Sequence, residues 1–330
     1  MTIEPSTDPF FARLFTTQGQ PRELALEELA GIRPGDDTVL VWVDLSDPAE
    51  DLLAQVWDAC DLPTAAHDFL QGGSMPEVGQ QDARFWVRCV VVDEHSERHK
   101  LTGSVLVCVA TPNRVITVHR DSIPFLEEMR HPRHAQAALG RLSAESFVAT
   151  LLDRQLASYF EAVSDYEMAI ERLEVDLMGP HSRDSLPELQ RLRRWASRLR
   201  RMLAPHRTVF GVMSRPDFRP DEGKDADRHF VALDTRFERA MDMVEHAREL
   251  VIGSFELFSS QTALRTNDAM RVLTFVTVIV GFLATLVGAL GMNFQASFFE
   301  TNDVGFWSAI AGLVSFGLAA VLIGRHRRWF

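Results

Sequence analysis

The chain has 330 residues, 46% hydrophobic and 24% charged, which excludes a disordered chain and one that is apolar throughout. Its 34 Lys and Arg against 46 Asp and Glu leave a net charge of −12, a balance that argues against a general nucleic-acid binder. Three cysteines, Cys60, Cys89 and Cys108, form no C-x-x-C pair and exclude a disulfide scaffold or a four-cysteine zinc site. The first fifteen residues hold Glu4, Asp8 and two prolines with no apolar run, so no signal peptide is expected there.

Residues 38–45 (TVLVWVDL), 84–93, 104–110 and 115–119 are short and rich in β-branched residues. Turn signals such as Thr111-Pro112-Asn113 bound them, so they predict strands, the last two a hairpin. Residues 48–61 between the first two have helical spacing. The chain is therefore expected to be α+β, opening with an α/β domain over residues 1–140.

Beyond residue 147 the period changes. Leu152, Leu156, Tyr159, Val163, Tyr166, Ile170, Leu173 and Leu177 alternate steps of four and three, the seam of a coiled-coil-like helix that Gly179-Pro180 ends. A second helix, residues 187–203, carries seven arginines if Arg207 is included. The helix before it holds Asp153, Glu161, Asp165, Glu167, Glu171, Glu174 and Asp176, so ion pairing between antiparallel helices is expected rather than nucleic-acid or lipid binding. A third seam runs Phe230, Leu233, Phe237, Ala240, Val244, Ala247, Val251, Ser254 and Phe258. No proline follows Pro220, so residues 224–293 are expected as one helix of about 105 Å at 1.5 Å per residue. Residues 141–271 thus read as a helical bundle and stalk, serving either as a mechanical link or as a spacer that holds an oligomer.

Residues 272–299 contain no charge over 28 positions, and after Glu300, Thr301, Asn302 and Asp303 residues 304–324 contain none over another 21. A helix needs roughly 20 apolar residues to cross a bilayer, so residues 272–330 predict a two-span membrane module. Arg265 and Arg271 precede it, Arg325, Arg327 and Arg328 end it, and the loop between the spans carries only acids. The positive-inside rule then puts both termini in the cytoplasm of a cytoplasmic (inner) membrane. Phe294, Phe298, Phe299, Phe306 and Trp307 would sit at the outer interface, with Trp329 and Phe330 at the inner one. The last 59 residues sum to +1, which leaves −13 on a large acidic cytosolic body.

The first span ends Leu290-Gly291-Met292-Asn293-Phe294. Here the sequence resembles the CorA family of divalent-cation transporters, whose signature is a Gly-Met-Asn triplet at the outer end of the first of two C-terminal spans. Residues 41–45 (VWVDL) and 116–121 (ITVHRD) look like the family's first strand and the strand before its helices. Residues 267–274 (NDAMRVLT) look like its entry into the membrane, and residues 325–329 like its basic tail. The resemblance implies a funnel-shaped homopentamer with the first span lining a central pore. It also implies inner pore positions at Asn267, Met270 and Leu273, counted back from Asn293 without gaps.

Physical chemistry suits that implication. Gly291 is expected to take a left-handed turn that leaves Asn293 at the mouth. A ring of neutral amides can hold hydrated Mg²⁺, which sheds its waters reluctantly. Glu300 and Asp303 would gather cations at the entrance, where helix C-termini already carry partial negative charge. Thr274, Thr277, Gly281, Ala284 and Gly288 continue the strip of Asn267 and Met270 along one face, and Met270 with Leu273 would form an apolar constriction. No cofactor is expected, and the transported ion would be Mg²⁺ first, with Zn²⁺, Co²⁺ or Ni²⁺ behind it, driven by the membrane potential.

The sequence departs from the family at Leu290, where Tyr is common, at Phe282, where a proline is common, and in a loop without Met-Pro-Glu-Leu. An acidic cation sensor would fall at Ala232, with Asp234 nearby. These departures favour the zinc branch, whose members resemble ZntB and whose transport is proton-coupled in one reading. His95 and His99, beside Glu94, Glu97 and Cys89, and His131 with His134, have spacings that could ligate Zn²⁺. No nucleophile motif, phosphate loop or HExxH is present, so no enzyme is expected. A membrane scaffold or sensor that moves no ion is the remaining alternative.

Overall fold

The computed structural model describes residues 8–17, 20–95, 100–131, 143–178, 185–218, 224–291 and 302–326. Seven strands form one sheet: β1 (Phe10–Thr16), β2 (Arg22–Glu23), β3 (Val39–Ser46), β4 (Glu77–Gln81), β5 (Arg84–His95), β6 (Lys100–Thr111) and β7 (Arg114–His119). Their order is β2-β1-β3-β7-β6-β5-β4. The central β3 and β7 run parallel, with Val43 opposite Ile116, and the other neighbours are antiparallel. The expected hairpin is the β6–β7 pair. Nine helices are described: α1 (Leu26–Leu29), α2 (Glu50–Cys60), α3 (Thr64–Gln71), α4 (Pro124–Arg130), α5 (Ala144–Met178), α6 (Leu186–Leu203), α7 (His206–Met213), α8 (Lys224–Leu290) and α9 (Asn302–His326).

Both faces of the sheet are covered, which explains why β3 is apolar at nearly every position rather than at alternate ones. Val41, Val43 and Leu45 join a core with Leu29, Val56 and Trp57 of α1 and α2. On the other face Trp42 meets Phe147 of α5, ring centres 5.7 Å apart, and Phe15 meets the same ring at 6.1 Å. Arg114 at the start of β7 donates to the carbonyls of Ile32 (2.6 Å), Ala59 (3.2 Å) and Leu29 (3.5 Å), so one guanidinium caps the ends of both α1 and α2.

β4 covers β5 only as far as Arg88, and helix side chains seal the edge beyond it. The Val90 N–H donates to Nε2 of His206 (3.0 Å), and the Val90 carbonyl accepts from Gln155 (2.8 Å) and the Tyr159 hydroxyl (3.2 Å). The Val92 N–H donates to Ser158 (3.2 Å). His206 Nδ1 lies 3.1 Å from the Leu203 carbonyl, so the ring is a neutral imidazole, and burial lowers its pKa to about 4.

A charged cluster lies under α4. Asp44 of β3 is fully buried and accepts from Thr117 Oγ1 (2.5 Å) and Arg130 Nε (2.7 Å), with His119 Nε2 at 3.3 Å. Burial works against its charge, yet His119, Arg130 and Thr117 together hold its carboxyl below the ordinary value. Burial likewise works against the charge on His119, but Asp44 and the Asp121 carbonyl, 2.7 Å from Nδ1, raise its pKa. Arg13 of β1 clamps α4 from the other side through the carbonyls of Met129 (2.9 Å) and Arg130 (2.6 Å).

The chain divides into two compact units, 1–176 with 183–253, and 177–182 with 254–330. In the first, every seam residue of α5 from Leu152 to Tyr166 and on to Leu173 is buried, as is the α8 seam from Phe230 to Val251. The described contact between α5 and α6 is aromatic and apolar, rather than the ion pairing expected there. Tyr166 stacks on Trp195 at 4.4 Å, and the Tyr166 hydroxyl donates to the Leu192 carbonyl, because the positions of α5 turned toward α6 are the apolar ones. Among the described residues the arginines pair elsewhere: Arg191 with Glu188 of its own helix, Arg200 and Arg207 with Glu245 and Glu238 of α8.

Candidate functional site

α8 is a single helix of 67 residues, with no proline to stop it. Thr274 and Thr277 donate to the carbonyls of Met270 and Leu273, each at 2.8 Å, so what their oxygens leave for a ligand is acceptor capacity.

In the second unit, Asn267, Met270, Leu273, Thr274, Thr277, Gly281, Ala284 and Gly288 are all exposed. At 100° per residue they fall within about 120° of arc. The half-buried residues Val272, Phe275, Ile279 and Leu283 lie on the opposite side, beside Phe282, whose ring centre is 5.1 Å from that of Phe316 in α9. α9 therefore packs on the back of α8 and leaves the small-residue strip uncovered; a Cβ added at Gly281 or Gly288 meets nothing within 4 Å. The small residues missed in the sequence are on α9: Gly305, Ala309, Ala320 and Gly324 lie on one face of that helix and are buried or half-buried. Below the strip, one face of α8 forms a groove of about 560 Å³ lined by Phe255, Phe258, Thr262, Thr266, Asn267 and Met270.

The triplet is described only at its first residue. Gly291 N–H donates to the Val287 carbonyl (3.0 Å), and its φ is not positive. The expected left-handed turn is thus absent at Gly291, because the helical hydrogen bonding still runs through it. Met292, Asn293 and Glu300 lie outside the described residues. Asp303 is exposed in the first turn of α9, where a carboxylate also suits the helix dipole.

Of the expected histidine motif, the described residues place Cys89 and the backbone of His95. Cys89 lies six residues before His95 on the extended strand β5, about 20 Å away at 3.3 Å per residue, and is a buried thiol pushed up to about 12 by burial. His99, Glu97 and His134 lie outside the described residues, among which no group of three or more His, Cys, Asp or Glu could hold a metal ion. Ala232 opens on a groove of about 940 Å³ between α5 and α8. That groove carries Arg239 and an Arg236–Asp153 pair at 2.8 Å rather than a cage of acids.

Beside the mixed-sheet body, α8 and α9 are both long and apolar enough to cross a bilayer, the makeup of a membrane protein. The family model described as "CorA-like Mg2+ transporter protein" matches residues 37–327, and the chain belongs to that family. It is 23% identical over 299 residues to the cobalt/magnesium transport protein CorA of Methanocaldococcus jannaschii, across 89% of this chain and 92% of that one. The complete structure of that CorA matches with a TM-score of 0.76 at 20% identity over 98% of this chain and 99% of the other. The divalent cation transporter CmaX of Pseudomonas aeruginosa is 25% identical over 279 residues, 80% of this chain and 81% of its own. The cytoplasmic domain of ZntB from Vibrio parahaemolyticus, at 10% identity and a TM-score of 0.60 over 78% of this chain and 99% of that domain, shares the fold.

Proposed function

We propose that this chain carries divalent cations across the cytoplasmic membrane as a homopentamer, with hydrated Mg²⁺ the first ion, and that it is not an enzyme. The observation that carries the reading is the bare strip of α8 from Asn267 to Gly288, which α9 leaves uncovered and which leads to the Gly-Met-Asn triplet. Copies of α8 facing one axis would surround ions with Thr274 and Thr277 oxygens, close on Met270 and Leu273, and end in Asn293 amides. Residues 1–140 and 141–271 would form the cytosolic body and stalk, residues 272–330 the pore module with both termini inside, and Glu300 and Asp303 the outer cation trap. Moving two charges inward is worth ~4.6 kcal/mol per 100 mV at ~2.3 per charge. That supports about 10³-fold accumulation without a nucleotide.

The test is flux into liposomes holding the purified chain, with Mg²⁺ and Zn²⁺ compared under potential and pH gradients. Mg²⁺ entry driven by potential alone, abolished by Asn293→Ala in an intact oligomer, is expected. Undiminished flux in that variant would sink the triplet's role. Zn²⁺ entry that requires a proton gradient would move the chain to the ZntB-like reading that Leu290, Phe282 and the loop favour. No flux of either ion would leave a membrane scaffold.

A further inference from the structure

Four arginines of α6 are left over once the fold is assembled. Arg193, Arg194, Arg198 and Arg201 are exposed and make no ion pair among the described residues, whereas Arg191, Arg200 and Arg207 are paired. They span about 140° of arc at 100° per residue, on the side away from the buried Leu192, Leu199 and Leu203. Arg194 with Arg198, and Arg198 with Arg201, stand four and three residues apart, where like charges repel. A positive row on a chain of net charge −12 therefore works against its own helix unless something anionic covers it.

The complement lies on the same chain, at the same height, on another side. Glu161 and Asp165 of α5 and Glu128 of α4, all exposed, line a groove of about 290 Å³ whose described lining also includes Arg154. The stacking of Tyr166 on Trp195 sets the level, so that Glu161 and Asp165 stand alongside residues 194–201 of α6. The two charged faces do not meet within one chain, because apolar and aromatic side chains make the α5–α6 contact. Rotation about an axis along the helices brings surfaces of equal height on neighbouring copies together, and two different complementary surfaces make a head-to-tail contact that can close a ring.

We infer that the Arg194, Arg198 and Arg201 row of one copy docks against the Glu128, Glu161 and Asp165 face of the next. This rests on the oligomer proposed above and names its cytosolic contact. The three native cysteines are buried, so introduced thiols report alone. Full-length chains carrying only Asp165→Cys are coexpressed with chains carrying only Arg198→Cys and treated with a bismaleimide in detergent. A cross-linked species of two chains is expected. Adding Arg194→Glu and Arg201→Glu to the second chain should lower its yield at least tenfold, and adding Glu128→Lys and Glu161→Lys to the first should restore it. No cross-link in an assembly whose native mass is oligomeric would overturn the contact, as would a yield indifferent to charge reversal. A native mass of one chain would instead remove the oligomer itself, a failure read from mass rather than cross-linking.

Discussion

From Phe230 to Ser254, α8 buries a seam residue every three or four positions; from Phe255 to Leu290 its large apolar side chains are mostly exposed. The first stretch has its solvent built in: Phe237 stacks on Phe210 of α7 at 5.1 Å, and each buried side chain of this kind is worth about 1.5–3 kcal/mol. The second stretch shows Val276, Val278, Val280 and Val287 bare, a surface that water penalises and lipid or other copies of the helix accept. One helix thus obeys two solvents, and the change falls where the first compact unit ends.

Substitutions can break that comparison most directly at Phe237. Phe237→Ala should cost the first unit about 3–5 kcal/mol in denaturant unfolding, whereas Leu286→Ala should leave that transition unmoved. Two exposed valines sharpen the contrast: Val231 and Val280 are 51% and 59% exposed. Val280→Arg should cost about 2.5–3.5 kcal/mol of insertion and empty the membrane fraction, while Val231→Arg should leave it full.

Two buried histidines of the first unit give opposite pH dependences. His206, depressed to about 4 by burial, contributes stability that is complete above its unfolded value near 6.5 and is lost as pH falls toward 4. His119 is raised: its contribution is complete below about 6.5 and is lost as pH climbs through its folded value. In unfolding midpoints across a pH series, His206→Gln should flatten the acid limb, by about 3 kcal/mol at most, and His119→Gln the alkaline limb. The smallest effect is expected for Glu238→Gln, whose exposed pair with Arg207 contributes under about 1 kcal/mol.

Legibility followed burial on both sides. β3, β5, β6 and β7 could be read because helices cover each face of the sheet, so their side chains are β-branched runs. β4 (EVGQQ) was not read, since an edge strand can be polar, and β1 was obscured by Arg13, a buried charge that binds two carbonyls of α4 more than a hundred residues away. The strip from Asn267 to Gly288 was legible from spacing, but its freedom from α9 was not, since small residues suit either packing or a pore. The aromatic contact of Tyr166 with Trp195 was not legible, because complementary composition on two neighbouring helices does not say which faces turn inward.

Periodicity and the absence of charge determined by themselves that this chain has a sheet domain, heptad helices and two helices long and apolar enough to cross a membrane, because those patterns depend only on which solvent each residue meets. Tertiary structure alone decided the partners: Asp44 with Arg130, His206 at the edge of β5, α9 on the back of α8, and the four arginines of α6 left facing outward. Such pairings join residues distant along the chain, and a one-dimensional pattern records the environment a side chain needs but not the neighbour that supplies it.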